Sequence, residues 1–191
     1  MSLLGSHSVP SCGFGIGLLH AQAFIVTPGQ FKLGLTDTVE CSAAIPQRAG
    51  YAVEIQALWY NAVSYTLALA RKYKDKAFVE AWAAEPAKTK ESFISKFWLK
   101  DGYLADYVND YETNDFRRSN MLVACALDYS MLNEEQVMNV LGVVRQHLLT
   151  KRGIRSLSPR NPFYQPSYAE DQRSQDLASH NGAIWVWPLM L

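Results

Sequence analysis

From Tyr51 onwards, apolar residues follow helical spacing. Residues 51–73 contain neither Gly nor Pro and are apolar nearly all round, as in a helix buried on every side. Basic residues near Arg71 suit the end of such a helix. Residues 75–98 show a second helical pattern, with Phe78, Trp82, Phe93 and Phe97 on its apolar face, and Pro86 should end or kink its first part.

Three further helices are predicted downstream. Residues 120–127 are apolar on every side, and residues 133–149 follow Asn133, a suitable N-cap. A last helix is expected to begin near Asn181 and continue to the end of the sequence. The connections over 99–111 and 153–175 contain Gly, Pro or Ser and predict loops, and strand signals are scarce.

The buried helices recur at a regular interval. They begin near Tyr51, Ser119 and Asn181, separated by 119 − 51 = 68 and 181 − 119 = 62 residues. An amphipathic helix follows each of the first two, which predicts inner–outer helical hairpins repeated along the chain. We therefore expect a mostly α fold, an irregular segment over 1–31 and a partial (α/α) toroid over 32–191.

Composition excludes several classes of protein. Lys+Arg and Asp+Glu are both 18, so the net charge is +0 and nothing favours nucleic-acid binding. The three cysteines are widely spaced without a C-x-x-C motif, so we expect reduced thiols and no zinc site. The N-terminus lacks a basic signal-peptide region, and no stretch predicts a membrane span. These features favour a cytoplasmic protein.

The first predicted helix also mixes polar and aromatic side chains in a way that suits a sugar ring. Glu54 is followed five and six positions later in the sequence by Trp59 and Tyr60. Sugar hydroxyls need fixed hydrogen-bond partners and sugar C–H faces need flat apolar surfaces. The alternative is a buried core helix with one satisfied carboxylate.

Residues 46–62, P-Q-R-A-G-Y-A-V-E-I-Q-A-L-W-Y-N-A, carry a resemblance. They are similar to T-P-R-x-G-x-x-V-E-I-N-A-L-W-Y-N-A in the amylo-α-1,6-glucosidase domain of glycogen debranching enzymes of the bacterial type. Residues 101–106 resemble the family's G-G-Y-L-x-D, and residues 118–121 resemble its R-P-N-Q or R-P-N-M, with Ser119 in place of the proline. Residues 148–159 resemble its L-L-T-P-x-G-L-R-T-L-S-P, and residues 175–185 its R-D-x-A-Y-H-Q-G-T-V-W.

The resemblance implies a fold and a reaction. Six inner–outer hairpins form the family's catalytic (α/α)6 toroid, so this chain would supply about half of the ring. The family hydrolyses α-1,6 glucosidic stubs of glycogen-like glucans with inversion, which needs a protonated carboxyl and a second carboxylate that activates water. Ungapped alignment back from Arg48 places Asp37 at the general acid, with Glu40 as a nearby substitute in poorer register.

The resemblance also implies a set of sugar-contacting residues at the mouth of the toroid, where the starts of the inner helices should converge. The predicted substrate-binding residues are Arg48, Glu54, Trp59, Tyr60, Trp98, Tyr103, Asp106, Arg118, Asn120, Asp176, His180 and Trp185. No metal and no cofactor are expected. For each charged residue the alternative is a cap or cross-link at a helix end, and for each aromatic residue it is core packing.

The family's general base lies beyond the H-Q-G-T-V-W-P-W motif, past the final residues of this sequence. We therefore expect the isolated chain to be inactive. An α-glucan is the expected partner, and an incomplete ring should self-associate through its exposed inner face. One alternative is a non-catalytic glucan-binding or structural remnant. A sugar-epimerase-like toroid is less favoured, because only His180 is well placed as a base.

Overall fold

A computed structural model describes residue 48, residues 50–168 and residues 171–190, and this part of the chain is mostly helical. Its helices and strands follow one another in the order β1 (Tyr51–Ala52), α1 (Val53–Tyr73), α2 (Lys76–Trp82), α3 (Glu85–Phe97), β2 (Tyr107–Val108), β3 (Thr113–Asn114), α4 (Met121–Ala126), α5 (Glu134–His147), β4 (Leu149–Thr150), β5 (Gly153–Arg155), α6 (Gln172–Asn181), β6 (Ile184–Trp185) and a 3-10 helix (Trp187–Met190).

Helix α1 is the central helix of the described fold. It packs against α2, α3 and α4. Lys74 ends it in the left-handed conformation, and the Lys74 N–H turns back to the carbonyls of Ala70 and Arg71. The predicted helix over 51–73 is thus confirmed, apart from its first two residues, which form β1.

The second helical pattern is divided where the sequence indicated. Asp75 caps α2 by accepting a hydrogen bond from the Phe78 N–H, and α2 ends at Trp82. Pro86 lies in the first turn of α3, where the missing N–H of proline costs nothing. The interruption near Pro86 is therefore a short turn between the end of α2 and the start of α3.

Helices α4 and α5 form the next hairpin, and α5 packs against α4. Asn133 and Gln136 cap α5 reciprocally in a capping box. Four consecutive residues of α4, Met121 to Ala124, are buried, as the all-round apolar pattern predicted. With Phe93 and Phe97 of α3 and Val140 of α5 they form one continuous core, and its burial from water stabilises the packing of these helices.

Two small antiparallel sheets lie beside the helices. One has the order β1-β2-β3, with Ala52 opposite Tyr107, and the other has the order β4-β5-β6. Their strands are only two or three residues long. The loop predicted over 99–111 therefore contains β2, and the loop predicted over 153–175 contains β5 and the first residues of α6. Both sheets bring distant segments of the chain together.

The expected helix start near Asn181 is wrong. Helix α6 ends at Asn181, and β6 and the 3-10 helix follow. Gly182 cannot be replaced by a residue with a side chain, because a Cβ would lie 2.4 Å from the Gln165 carbonyl oxygen. His180 and Asn181 thus lie at a helix C-terminus, so the 62-residue spacing does not mark a third buried helix.

Several sequence expectations fall outside the described residues, including the irregular segment over 1–31 and the candidate acids Asp37 and Glu40. Within the described ranges, no helix has the length and hydrophobicity of a membrane span.

Candidate functional site

The buried carboxylate of Asp106 is the centre of the site. Asp106 directly precedes β2, and its N–H donates to the Asn114 carbonyl of β3 at 2.9 Å. Its carbonyl accepts the Val53 N–H at 3.0 Å, which satisfies the first free donor of α1. The pairing of β1 with β2 therefore places Asp106 at the N-terminal end of α1.

Arg48 joins two carboxylates at this point. Its guanidinium donates to Glu54 through Nη1 at 2.5 Å and Nη2 at 2.8 Å. It also donates to Asp106 through Nε at 2.8 Å and Nη2 at 3.0 Å, and to the Asp106 carbonyl at 2.9 Å. Such two-pronged pairing fixes the orientation of the planar guanidinium.

The backbone between Arg48 and Glu54 makes this geometry possible. Gly50 has φ +130, a region that residues with side chains rarely adopt. A Cβ on Gly50 would lie 2.5 Å from the Val108 carbonyl oxygen. The close approach of the two chain segments at Gly50 therefore allows Arg48 to turn back towards the first turn of α1.

Arg118 approaches Asp106 from the other side. Its Nε lies 3.5 Å from Asp106 Oδ2. Its two terminal nitrogens reach the end of α6, where Nη1 donates to the His180 carbonyl and Nη2 donates to Asn181 Oδ1 at 2.9 Å. Arg118 thus ties the C-terminus of α6 to the start of α1, although 62 residues separate it from His180.

Asn120 completes the group at the start of α4, where its Nδ2 donates to Asp106 Oδ1 at 2.9 Å. We call Arg48, Glu54, Asp106, Arg118 and Asn120 the arginine–carboxylate cluster. The cluster contains two cationic and two anionic side chains, and it brings together five of the predicted substrate-binding residues. Whether any of them contacts a sugar stays a prediction.

The two arginines of the cluster differ in their electrostatics. Burial lowers the pKa of Arg48, but the charges of Asp106 and Glu54 outweigh this and raise it above its ordinary value. Burial lowers the pKa of Arg118, and Asp106 offsets this only in part while Arg48 repels it. The two carboxylates are thus engaged chiefly with Arg48.

The predicted aromatic contacts of α1 lie away from the cluster. Trp59 packs edge-on against Trp82 of α2, with ring centroids 6.1 Å apart. Tyr60 is half-buried against the core. Trp59 follows Glu54 by five residues, which places it about 140° further round the helix axis. Both rings therefore pack against neighbouring parts of the fold.

Tyr103 and Trp98 also lie within the packed interior. Tyr103 is 2% exposed, and its hydroxyl donates to the Asp115 carbonyl at 2.8 Å. The Arg117 guanidinium lies 4.7 Å from the Tyr103 ring centre, a cation–π contact. Trp98 pairs with Leu104 in an isolated bridge and packs against the core.

The remaining predicted residues lie near the C-terminal end of the described structure. His180 meets Arg118 through its backbone carbonyl. Asp176 lies within α6, but the structure does not describe its side chain. Trp185 lies in β6 beside Trp187, with ring centroids 5.7 Å apart.

Sequence analysis overlooked two polar residues near the cluster. Asn181 accepts from Arg118, and Ser156 accepts the Gly182 N–H at 2.9 Å through its hydroxyl. Both are buried. Asn181 directly follows His180 in the motif over 175–185, so its place in that motif could have identified it as a site residue. No local sequence feature identifies Ser156.

Within the described residues, no group of three or more His, Cys, Asp or Glu side chains could hold a metal ion. Most donors and acceptors of the cluster satisfy one another, whereas Arg118 Nε is buried without a hydrogen-bond partner among the described residues. The chemistry of the cluster is therefore to hold the ends of α1, α4 and α6 at one point.

Comparison with known proteins adds to this picture. A family model described as Amylo-alpha-1,6-glucosidase matches residues 6–191. None of the curated proteins searched matches the sequence. Among solved structures 30 chains match. One of them, the neutral trehalase of Saccharomyces cerevisiae, is 14% identical with a TM-score of 0.52, and the match covers 69% of this chain and 27% of the trehalase.

The chain therefore spans about a quarter of the length of that trehalase. At this identity the likeness shows the fold alone. The family match, in contrast, covers almost the whole sequence, including the arginine–carboxylate cluster and the segment that holds Asp37.

Proposed function

Because the chain belongs to the amylo-alpha-1,6-glucosidase family of glycoside hydrolases, we propose that it is part of an enzyme that removes α-1,6-linked glucose stubs from glycogen-like α-glucans. The observation that carries this proposal is the family match over residues 6–191, which includes the segments of the cluster. The same proposal places the protein in the cytoplasm, where its cysteines stay reduced.

The proposed architecture is part of an (α/α)6 ring. In support, α1 packs against α4, α3 packs against α1, and α5 packs against α4 around one shared core. The likeness to the trehalase also supports this arrangement. On this proposal the two described hairpins belong to a half-ring, and the cluster lies at the end where the inner helices begin.

The proposed chemistry is inverting hydrolysis. A protonated carboxyl gives its proton to the leaving glycosidic oxygen, while a second carboxylate, roughly 6.5–9.5 Å away, activates water on the opposite face of the sugar. Asp37 is the proposed acid on the strength of the resemblance. Glu54 and Asp106 already accept hydrogen bonds from Arg48, so we assign them a positioning role.

The test is glucose release from an oligosaccharide that carries a single α-1,6-linked glucose stub. The substitution Asp37→Asn is made in the shortest gene product that releases glucose. It should lower the rate of glucose release by about 10²–10⁴-fold, as loss of a general acid does. NMR should show β-glucose as the first product. Asp110→Asn, at an exposed position, is the matched control. An unchanged rate in Asp37→Asn, or release of α-glucose, would contradict the mechanism.

A second candidate is a segment that binds or supports α-glucan recognition without catalysis. It is favoured by the mutual pairing of the charges in the cluster, which leaves Glu54 and Asp106 engaged with arginine. Tryptophan fluorescence titration with maltooligosaccharides tests it. Saturable quenching that Trp185→Phe weakens and Trp82→Phe preserves, without glucose release by any length of the gene product, would favour this candidate.

A further inference from the structure

The described structure brings three basic side chains together outside the arginine–carboxylate cluster. Arg117 precedes the start of α4, His147 ends α5, and Arg160 lies in the loop after β5. The Ser158 N–H donates to the Arg117 carbonyl at 3.0 Å, and the Ser158 hydroxyl accepts the Arg160 N–H at 3.3 Å. Burial lowers the pKa of His147, and the positive charges of Arg117 and Arg160 lower it further. We call Arg117, His147 and Arg160 the basic triad.

The charge of the basic triad is poorly compensated by the described fold. Residues 136–169 contain five Lys or Arg residues and His147 but neither Asp nor Glu, although the whole chain has a net charge of +0. Asp101 lies 3.5 Å from Arg117 Nη2, but its side chain is 73% exposed, and an ion pair so open to water is weak. Arg117 Nε is buried and has no hydrogen-bond partner among the described residues. An anion at the triad would therefore relieve the repulsion between its members.

A groove of about 480 Å³ runs along α5 next to the basic triad. Its lining residues come from the turn before β2 and from α5: Lys100, Asp101, Gly102, Met138, Asn139, Gly142, Val143 and Gln146. Asp101 pairs with Arg117. His147 directly follows Gln146 and lies one helical turn beyond Val143. The triad is thus adjacent to one end of the groove.

We propose that the groove and the basic triad together bind a phosphorylated sugar, with its phosphate at the triad and its ring in the groove. A phosphate monoester carries a charge of roughly −1.5 to −2 and three acceptor oxygens. The planar fork of arginine pairs with such oxygens through two N–H groups at once, and a neutral imidazole adds one further donor. The triad therefore matches a phosphate monoester in both charge and hydrogen bonding.

The groove matches the neutral part of the same ligand. The side-chain amides of Asn139 and Gln146 both donate and accept hydrogen bonds, as sugar hydroxyls require. Met138 and Val143 offer apolar surface to the C–H groups of the ring. The proposed site is separate from the proposed α-glucan site and does not depend on the proposed hydrolysis.

Calorimetric titration of the full 191-residue chain tests the site, with glucose 6-phosphate, inorganic phosphate and glucose as probes. We expect glucose 6-phosphate to bind at least about 10-fold more tightly than inorganic phosphate or glucose, because it alone contacts both the triad and the groove. Arg160→Gln should weaken its binding at least about 10-fold by removing a charge-assisted hydrogen bond. Arg160 is exposed, so the fold should survive, which circular dichroism checks.

Two further variants separate the triad from the groove and from the surrounding positive charge. Arg152→Gln is the matched control, because it removes the same charge from an exposed position in the β4–β5 turn and should preserve binding. Gln146→Ala should weaken the binding of glucose 6-phosphate and leave that of inorganic phosphate unchanged. Arg160→Gln should weaken the binding of both.

Four outcomes would overturn the proposal. One is a chain that binds none of the probes saturably. Another is equal weakening by Arg152→Gln and Arg160→Gln, because the attraction would then be spread over the basic segment. A third is equal affinity for glucose 6-phosphate and inorganic phosphate, because the groove would then hold no sugar.

The fourth outcome concerns the acidic residues outside the described ranges, which are Asp37, Glu40 and Glu170. We expect the combined variant Asp37→Asn, Glu40→Gln and Glu170→Gln to bind inorganic phosphate as the unsubstituted chain does. Binding that is at least about 10-fold tighter in this variant would mean that a carboxylate of the same chain occupies the basic triad.

Discussion

Arg48 and Arg118 approach the same carboxylate with different partners. Arg48 donates four hydrogen bonds of 2.5–3.0 Å to the carboxylates of Glu54 and Asp106 and a fifth, of 2.9 Å, to the Asp106 carbonyl. The Nε atom of Arg118 lies 3.5 Å from Asp106 Oδ2. Its two terminal nitrogens donate to the His180 carbonyl and to the side-chain oxygen of Asn181. The pKa of Arg48 is raised and that of Arg118 is lowered.

The difference separates two structural tasks. The charge of Arg48 is neutralised by Glu54 and Asp106 at the start of α1. These ion pairs fix the conformation of the chain where it enters the helix. Arg118 is a cation whose main partners are neutral, so it acts as a long-range cross-link to α6. Asp106 is the one group that both tasks share, so substitutions within the cluster can test that division.

The largest effect is expected for Asp106→Asn. The change keeps the shape of the side chain but removes the buried negative charge nearest both Arg48 and Arg118, and among the described residues Glu54 stays as a buried counter-charge. Breaking a buried pair in this way costs about 3–5 kcal/mol of unfolding free energy. Urea denaturation measures it, with Asp110→Asn as the exposed control. A loss below about 1 kcal/mol would mean that Asp106 is not the shared acceptor.

A smaller and more local effect is expected for Arg118→Met. Methionine preserves the apolar stem but removes the donors to His180 and Asn181, at a cost of about 1.5–3 kcal/mol. Hydrogen exchange of the last turn of α6 should accelerate, while the amides of α1 stay protected. Arg48→Met should give the opposite pattern. Equal acceleration in both variants would contradict the division of tasks.

The predictable part of the fold is the part with strong local signals. Residues 51–73 could be assigned as a helix because they contain neither Gly nor Pro and their apolar residues follow helical spacing. Pro86 indicated the break that separates α2 from α3, and Asn133 was predicted as the N-cap that it forms on α5. In each case a neighbouring residue alone decides the conformation.

Helix α6 lacked such a signal. Its residues, Q-R-S-Q-D-L-A-S-H-N, are almost all polar, so hydrophobic periodicity does not reveal it. Its start depends on Asp171, which accepts the Ser174 N–H, and its end on Gly182 beside the Gln165 carbonyl. The strands were equally hidden, because two residues are too few to show alternation.

The candidate site divides in the same way. Arg48 and Glu54 are six residues apart, and their pairing was within reach of sequence analysis. The contact of Arg48 with Asp106 spans 58 residues and depends on the register of β1 with β2. No local pattern encodes that register, which is why the residues could be chosen from the resemblance while their partners could not.

Asn120→Ala should have the smallest effect, because it removes a neutral donor from a carboxylate that keeps Arg48. The cost should be about 0.5–1.5 kcal/mol of unfolding free energy, with the exposed Asn139→Ala as the control. A double-mutant cycle with Arg118→Met sharpens the comparison. Both side chains converge on Asp106 from the start of α4, so their effects should couple by at least about 0.5 kcal/mol. Strict additivity would mean that Arg118 is not coupled to Asp106 and serves α6 alone.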